Sequence, residues 1–216
     1  MVSRYADLSL DKLGPPPEHL SKNQRAYHFI LEVSLLGVFA SYMRLSHYLE
    51  EISAKDVDAQ VPLWVELVAF IDHANRLRRV LFEFPGLVRK RQRFEQLSGL
   101  LESVEVFRNH LQHPDNMKKP GYTRTPLGVL SWLYDPGNGA GGRVWRFAGF
   151  FHSSDAEISM PILLGEPSLV PIGNVNYGLG GPEALRVTDI FLSILEVPRS
   201  YLSALDAIRL DSRSGI

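Results

Sequence analysis

The feature that most constrains the fold of this 216-residue chain is an apolar stripe with helical spacing in its first half. Seven apolar residues follow one another in alternating steps of four and three, which is the spacing of one face of an α-helix. They are Leu63, Leu67, Phe70, Ala74, Leu77, Leu81 and Phe84. Pro62 suits the first turn of such a helix, and Pro85-Gly86 would end it. A helix with one apolar face needs partners that bury this face.

A second helix with an apolar face is predicted upstream, from about Lys22 to Ser53. Ser21 and Gln24 stand at the two positions of a capping box, in which each side chain bonds the backbone N–H of the other residue. The face expected to be buried consists of Phe29, Val33, Leu36, Ala40 and Met43. Small Gly37 and Ser41 lie beside it, where a neighbouring helix could approach closely.

Two further helical stretches follow the same spacing. One is predicted from about Arg89 to Gln112, and the other occupies the C-terminal part of the chain, where Pro198 should kink or split it. The first has an apolar face of Leu97, Leu100, Val104, Phe107 and Leu111. The second has Val187, Ile190, Phe191, Ile194 and Leu195, followed by Tyr201, Leu202, Leu205 and Ile208. Helices of this kind bury one another's apolar faces, which predicts an antiparallel four-helix-type bundle.

The stretch before the last predicted helix has a different composition, rich in glycine, proline and alternating apolar residues. Residues 128–134 and 143–151 are predicted to be two strands of a hairpin around the glycine-rich tip 135–142. A further strand is indicated by alternation at Ile158, Met160, Ile162 and Leu164. The predicted fold class is therefore mainly α, with a β-rich insertion, a hairpin or small antiparallel sheet, before the last helix.

These boundaries divide the chain into three regions. Residues 1–20, which contain Gly14-Pro15-Pro16-Pro17, form a proline-rich N-terminal arm with an extended conformation. Residues 21–117 and 182–212 form the helical bundle, and residues 118–181 form the β-rich insertion. A chain of this length can bury one sizeable core, so one domain with an elaboration is expected.

Charge and composition exclude several classes of function. The 23 basic and 24 acidic residues nearly cancel, which leaves a net charge of -1 and no overall field to attract nucleic acid or anionic membranes. The chain has no cysteine, so disulfides, thiolate metal sites and cysteine nucleophiles are ruled out. The N-terminus lacks the apolar core of a signal peptide, and the longest apolar stretch, Val33 to Met43, is shorter than the roughly 20 residues of a membrane span. A cytoplasmic protein that does not contact membranes is expected.

The residues best suited to chemistry lie at the end of the third predicted helix, in the hexapeptide Arg108-Asn109-His110-Leu111-Gln112-His113. Pro114 disfavours helical backbone at His113, so the imidazole could turn back toward Arg108. An imidazole can take and return a proton near neutral pH, while a guanidinium can hold phosphate oxygens with two hydrogen bonds. Without a metal or cofactor, these two groups suffice to cleave RNA through its own 2′-hydroxyl.

An arginine and an asparagine followed by three residues and a histidine, at the end of a long bundle helix, resemble the motif of the HEPN superfamily. Its members are helical bundles and are often metal-independent ribonucleases, with an active site that commonly forms where two protomers meet. The resemblance implies that Arg108 and His113 form the active site, that Asn109 assists, and that the chain acts on RNA as a homodimer. It also implies a setting in defence, stress or a toxin–antitoxin system, with an antitoxin or another protein as partner.

Other interpretations of the same residues stay open. Arg108 could form an ordinary ion pair with Glu105 on the same helix, and the chain would then be a non-catalytic helical module that binds RNA, a nucleotide or a protein. His110 and His113 have the spacing of paired metal ligands, which would make the chain a metal-dependent enzyme.

Arg76 and Arg79 belong to a charged stripe of the second predicted helix that also contains Asp72 and Glu83. Such a stripe is typical of a solvated face with ion pairs one turn apart, such as Asp72 with Arg76. In the functional interpretation, the two arginines form an RNA-binding patch that contacts phosphates near Arg108.

Overall fold

The computed structural model describes residues 9–53, 60–87, 94–112, 128–134, 143–148, 172–178 and 184–213. Its helices and strands follow in the order α1 (Lys22–Ser53), α2 (Gln60–Glu83), α3 (Glu95–Glu102), α4 (Val104–Gln112), β1 (Val129–Tyr134), β2 (Arg143–Ala148), β3 (Ile172–Gly178), β4 (Ala184–Arg186), α5 (Val187–Ile194) and α6 (Val197–Arg213). The described part of the chain is mainly helical, with a small antiparallel sheet before the last two helices. The predicted fold class is therefore confirmed.

The two longest helices, α1 and α2, pack along each other. α1 begins with the predicted capping box: the Ser21 N–H donates to Oε1 of Gln24 at 3.0 Å, and the Gln24 N–H donates to Oγ of Ser21 at 3.3 Å. All seven residues of the predicted stripe are buried; six lie on α2, and Phe84 directly follows it. The predicted extents of α1 and α2 are thus confirmed, and for α2 the predicted buried face is confirmed as well.

The buried face of α1 differs from the predicted one. Phe29, Val33 and Leu36 are 65%, 38% and 44% exposed. The face turned to the core includes Leu31, Leu35, Val38, Tyr42, Leu45 and Leu49. Both stripes have helical spacing, and tertiary contacts select one of them: the ring of Tyr42 stacks on Phe191 of α5 with centroids 3.8 Å apart.

α1 is the one helix in the described part of the chain with the length and hydropathy of a membrane-spanning segment. Its mean hydropathy over 18 residues is 1.4, and 44% of that window is buried inside the fold. This window is longer than the predicted apolar stretch from Val33 to Met43. A core helix that is apolar on more than one face satisfies the same criterion.

Close contact between α1 and α2 depends on Gly37, as the small residues of α1 predict. The ring of His73 lies over this glycine, so that a Cβ atom at position 37 would be 2.2 Å from Nδ1 of His73. Further along the interface, Nε of Arg44 donates to Oε1 of Glu66 at 2.6 Å. Gly37 therefore sets how closely the two longest helices approach.

Replacing Gly37 with alanine is expected to lower the free energy of unfolding by about 1–3 kcal/mol, because the new methyl group collides with the His73 ring. In a His73→Ala background the collision is absent, and the same substitution should raise the free energy of unfolding by about 0.5–1 kcal/mol, since alanine suits a helix interior better than glycine. Urea denaturation of the four proteins measures both effects. An equal effect of Gly37→Ala in both backgrounds would contradict this account.

The third predicted helix is two helices in the structure. α3 ends at Glu102 and α4 begins at Val104, with Ser103 between them. Oγ of Ser103 lies 3.5 Å from the Leu100 carbonyl, a side-chain contact of the kind that bends helices. The apolar stripe continues across the break, and its members Leu97, Leu100, Val104 and Phe107 are buried. The predicted start near Arg89 lies outside the described residues.

The C-terminal helix is also divided. α5 ends at Ile194 and α6 begins at Val197, so that Pro198 lies in the first turn of α6. A proline there removes no helical hydrogen bond, because the first N–H groups of a helix have no partner within it. The predicted split is therefore present, but it falls before the proline rather than at it.

The sheet is antiparallel, with the strand order β2-β1-β3-β4. β1 and β2 form the predicted hairpin, with Trp132 opposite Trp145 in the middle of the register. β3 pairs with the other edge of β1, and β4 pairs with β3. The predicted tip at 135–142 and the predicted strand at 158–164 lie outside the described residues.

A few buried hydrogen bonds join the sheet to the bundle. Nε1 of Trp132 on β1 donates to Oγ of Ser53 at the end of α1, at 3.0 Å. The hydroxyl of Tyr42 on α1 shares a 3.0 Å hydrogen bond with Oγ1 of Thr188 on α5. The same Oγ1 accepts the Val175 N–H from β3 at 2.8 Å. Because these polar groups are buried, the bonds are needed to satisfy them, and they connect α1, the sheet and α5.

The N-terminal arm packs against the bundle where the structure describes it. Leu13 and Leu20 are buried, and the Gly14 carbonyl lies 3.0 Å from Nε2 of buried His28. The other ring nitrogen of His28 hydrogen-bonds the Tyr201 hydroxyl of α6 at 3.1 Å. The arm from residue 9 onward is therefore part of the packed structure, because its two leucines gain burial on either side of the prolines.

Candidate functional site

The predicted site lies at the C-terminal end of α4, and Phe107 sets the orientation of this helix. The Phe107 side chain is 1% exposed and packs against Tyr177 of β3, with ring centroids 5.4 Å apart. The next side chain on a helix points about 100° away from the one before it. Arg108 therefore emerges at the edge of the packed face, with its side chain 30% exposed.

Arg108 is held by a carboxylate from α2. Its Nε donates to Oδ1 of Asp72 at 2.8 Å, and the side-chain nitrogen of Gln112 lies 3.5 Å from the same oxygen. Within the described residues, Arg108 has no other hydrogen bond, so its two terminal nitrogens are without an acceptor there. Asp72 is 37% exposed, and ion pairs at such exposure contribute about 0–1 kcal/mol. The pair thus orients the guanidinium more than it stabilises the fold.

Longer-range ion pairs replace the two local pairs expected from the sequence. Glu105 pairs with Arg78 of α2 instead of Arg108, and Asp72 pairs with Arg108 instead of Arg76. Pairs one turn apart on a single helix are weak, so partners on a neighbouring packed helix can compete with them. Two ion pairs consequently join α2 and α4. In one of them α2 supplies the arginine, and in the other α2 supplies the carboxylate.

The remaining residues of the predicted catalytic set are placed only in part. Asn109 follows Arg108 on α4 and is exposed. His113 and the side chain of His110 lie outside what the structure describes, so the convergence of an imidazole on Arg108 stays a prediction. The last described residue of α4, Gln112, reaches the carboxylate that holds Arg108, which brings the end of the helix to the site.

Arg76 and Arg79 lie on the exposed side of α2 and line a groove between α2 and α1. Neither forms an ion pair with another residue in the described ranges. Arg76 follows Asp72 by one turn of α2, so the predicted RNA-binding patch begins one helical turn away from the carboxylate that holds Arg108.

His73 is an imidazole near this region that no sequence motif assigns to a site. Burial lowers the pKa of His73, and the positive charge of Arg76 lowers it further, so the ring is neutral at pH 7. The ring faces Gly37 of α1, whereas the neighbouring Asp72 turns to α4. His73 therefore belongs to the contact between α1 and α2, and its adjacency to Asp72 in the sequence is the one signal that could have drawn attention to it.

Comparison with known proteins identifies no relative. No protein family, curated protein or solved structure matches this chain. The HEPN resemblance rests on the motif from Arg108 to His113 and on the helical bundle that carries it, and membership of the superfamily stays a prediction.

The metal interpretation finds no further support among the described residues. In that part of the chain, no three side chains of histidine, aspartate or glutamate are grouped so that they could hold a metal ion. The carboxylates next to the site, Asp72 and Glu105, are each engaged by an arginine. The proposed ligands His110 and His113 have side chains outside the described set.

The arrangement around Arg108 is suited to binding an oxyanion. A guanidinium has five N–H donors in one plane, and Asp72 uses the Nε donor. The two terminal nitrogens can then donate to two oxygens of one phosphate or carboxylate. Because the side chain is partly exposed at a helix end, such an anion can approach from solvent.

Proposed function

We propose that this chain is a metal-independent endoribonuclease of the HEPN type that acts in the cytoplasm as a homodimer. The observation that carries the proposal is the contact of Asp72 with Nε of Arg108, which leaves the terminal nitrogens without a described partner at an exposed helix end. A guanidinium oriented in this way can hold two oxygens of a phosphodiester as negative charge builds on them. The proposed setting is defence, stress or a toxin–antitoxin pair, in which a partner protein restrains the nuclease.

The proposed reaction needs only groups of the RNA and of this chain. The 2′-oxygen of a ribose attacks the adjacent phosphorus, and the bond from phosphorus to the 5′-oxygen breaks. His113 takes the proton of the 2′-hydroxyl, and a proton is returned to the leaving 5′-oxygen. Arg108 holds the non-bridging oxygens, and Asn109 donates a further hydrogen bond to the phosphate. The products are a 2′,3′-cyclic phosphate and a 5′-hydroxyl.

The test is cleavage of a labelled RNA by the purified protein in excess chelator, with mass spectrometry of the product ends. We expect a 2′,3′-cyclic phosphate from RNA and no cleavage of the same strand built from 2′-deoxyribose, because that strand lacks the attacking hydroxyl. His113→Ala and Arg108→Ala should both lose the activity. Cleavage that stops in chelator, or that continues unchanged in both variants, would reject the proposal.

A non-catalytic helical module that binds RNA, a nucleotide or a protein is the second candidate. The two opposed ion pairs between α2 and α4 favour it, because Arg108 would then serve only to join these helices. In that case Arg108→Ala and Asp72→Ala should show a coupling free energy in urea unfolding, and no RNA should be cleaved under any condition.

A further inference from the structure

We infer that a single strand of RNA lies along the exposed side of α2, from Arg108 through Arg76 to Arg79, with one base against Tyr27 of α1. The inference rests on the proposed function, because it states how the substrate of that site is held. Apart from Arg108, the residues it names take no part in the proposed reaction, so binding there can be measured without cleavage.

The groove lies between α1 and α2 and has a volume of about 360 Å³, which is within the range of small-molecule sites. Its lining includes Asn23, Tyr27, Ile30, Arg76, Arg79 and Glu83. The wall on α2 carries the charges, and the wall on α1 offers an aromatic ring and an isoleucine that is 43% exposed. A ligand that combines an anion with a flat apolar group fits both walls, and a nucleotide has both parts.

The two arginines of the groove are available to an anion. Arg76 and Arg79 pair with no other residue that the structure describes, whereas Arg78 and Arg108 each hold a carboxylate. Glu83 is the one carboxylate among the described residues that line the groove, so two positive charges face one negative charge there. Phosphate contacts by unpaired arginines are the main source of affinity for nucleic acid.

The spacing of the cationic groups along α2 suits neighbouring phosphates of one strand. Arg108 is fixed beside Asp72, Arg76 lies one turn further along α2, and Arg79 lies nearly one turn beyond that. The rise along α2 is about 6 Å from Asp72, the residue that holds Arg108, to Arg76, and about 4.5 Å from Arg76 to Arg79. These steps are on the scale of the repeat of an extended polynucleotide backbone. A single strand can also turn a base onto an aromatic ring, which assigns Tyr27 to the base.

The test measures binding by fluorescence anisotropy with a short labelled 2′-O-methyl RNA, which has no free 2′-hydroxyl and cannot be cleaved by the proposed reaction. For single strands, the logarithm of the binding constant falls with the logarithm of the salt concentration by about 0.7 per phosphate contact. The double variant Arg76→Gln/Arg79→Gln should therefore reduce this slope by about 1.4. The matched control is Arg199→Gln, an arginine of α6 that is 80% exposed, and it should leave the slope unchanged.

Two further substitutions have opposite expected signs. Glu83→Gln removes the negative charge of the groove and should tighten binding, an outcome that a purely structural role would not produce. Tyr27→Leu should weaken binding about tenfold through loss of base stacking. Tyr27→Phe keeps the ring and should bind like the original protein.

The outcomes separate this inference from the proposed activity. An unchanged salt slope in the double arginine variant would overturn it. So would competition by poly-glutamate as strong as that of an unlabelled strand, because the ligand would then be an acidic protein segment. Binding with the expected dependences in a protein that cleaves no RNA would support the groove and reject only the nuclease.

Discussion

Replacing Arg108 with alanine is expected to lower kcat/KM for RNA cleavage by about 100- to 1,000-fold, the loss that follows removal of one donor to the developing charge. Arg108→Lys keeps the charge but cannot donate two parallel hydrogen bonds, so its activity should lie between that of the unsubstituted protein and that of Arg108→Ala. The free energy of unfolding should change by less than about 1 kcal/mol, because the ion pair with Asp72 is near the surface. Cleavage kinetics and urea unfolding of the same preparations supply both measurements.

Asp72→Asn separates the orientation of Arg108 from its charge. The amide oxygen can still accept a hydrogen bond from Nε of Arg108, so the rate of cleavage should fall less than in Arg108→Ala. The loss should be at most about 100-fold, which is the effect of a slightly misplaced catalytic group. Arg199→Ala is the matched control, since this side chain is 80% exposed on α6, and it should cleave like the unsubstituted protein. If Arg108→Ala and Arg199→Ala cleave alike, Arg108 has no part in the reaction and its pair with Asp72 is only structural.

A second large effect is expected at alkaline pH, where three buried tyrosines resist ionisation. Tyr42, Tyr177 and Tyr201 are each 0% exposed. Burial raises the pKa of Tyr42 to about 12, although its hydrogen bond with Thr188 opposes the shift. Burial also raises the pKa of Tyr177 and of Tyr201. The Tyr177 hydroxyl has no hydrogen-bond partner among the described residues, so nothing there would stabilise its ionised form.

These shifts make the protein less stable as the pH rises above about 10. In the unfolded chain each tyrosine loses its proton near pH 10, whereas in the folded chain it keeps the proton to a higher pH. The folded state therefore binds more protons in this range, and the free energy of unfolding decreases with pH. Tyr42 alone contributes about 3 kcal/mol of this loss once the pH is well above 12, and about 2 kcal/mol of it falls between pH 10 and 12, because a pKa difference of one corresponds to about 1.4 kcal/mol.

A pH titration checks this prediction. Tyrosinate absorbance and far-ultraviolet circular dichroism should be followed together in one preparation. At least three of the eight tyrosines should ionise only as the helical signal is lost. Ionisation of all eight near pH 10, in a protein that keeps its helical signal, would show that these side chains are not buried as described.

The two long helices show how far sequence patterns predict this fold. α2 can be predicted together with its buried face, because a charged stripe marks the opposite side of the helix. In α1 the stripe through Phe29 and the stripe through Leu35 are both apolar, and spacing alone cannot choose between them. The choice depends on contacts with distant parts of the chain, such as His73 over Gly37.

The position of Arg108 near a helix end follows from the sequence, but its partner does not. Asp72 is 36 residues away, and nothing local indicates how α2 and α4 face each other. Their orientation follows from packing, in which Phe107 of α4 and Trp64 of α2 both lie against Tyr177 of β3. Spacing along the sequence indicates only partners on the same helix, and for this reason Glu105 is the ion-pair partner that it suggests for Arg108.

The earliest long helix depends on the last part of the chain for its buried polar partners. His28 reaches Tyr201 across 173 residues, and Tyr42 reaches Thr188 across 146. On the ribosome, α1 therefore emerges well before these partners have been synthesised. Contacts of such long range slow folding. Until the partners have been synthesised, the nascent chain exposes the leucines of α1 that are buried in the folded protein. Before synthesis reaches α5 and α6, buried His28 and Tyr42 therefore lack these native partners, and the chain is open to aggregation.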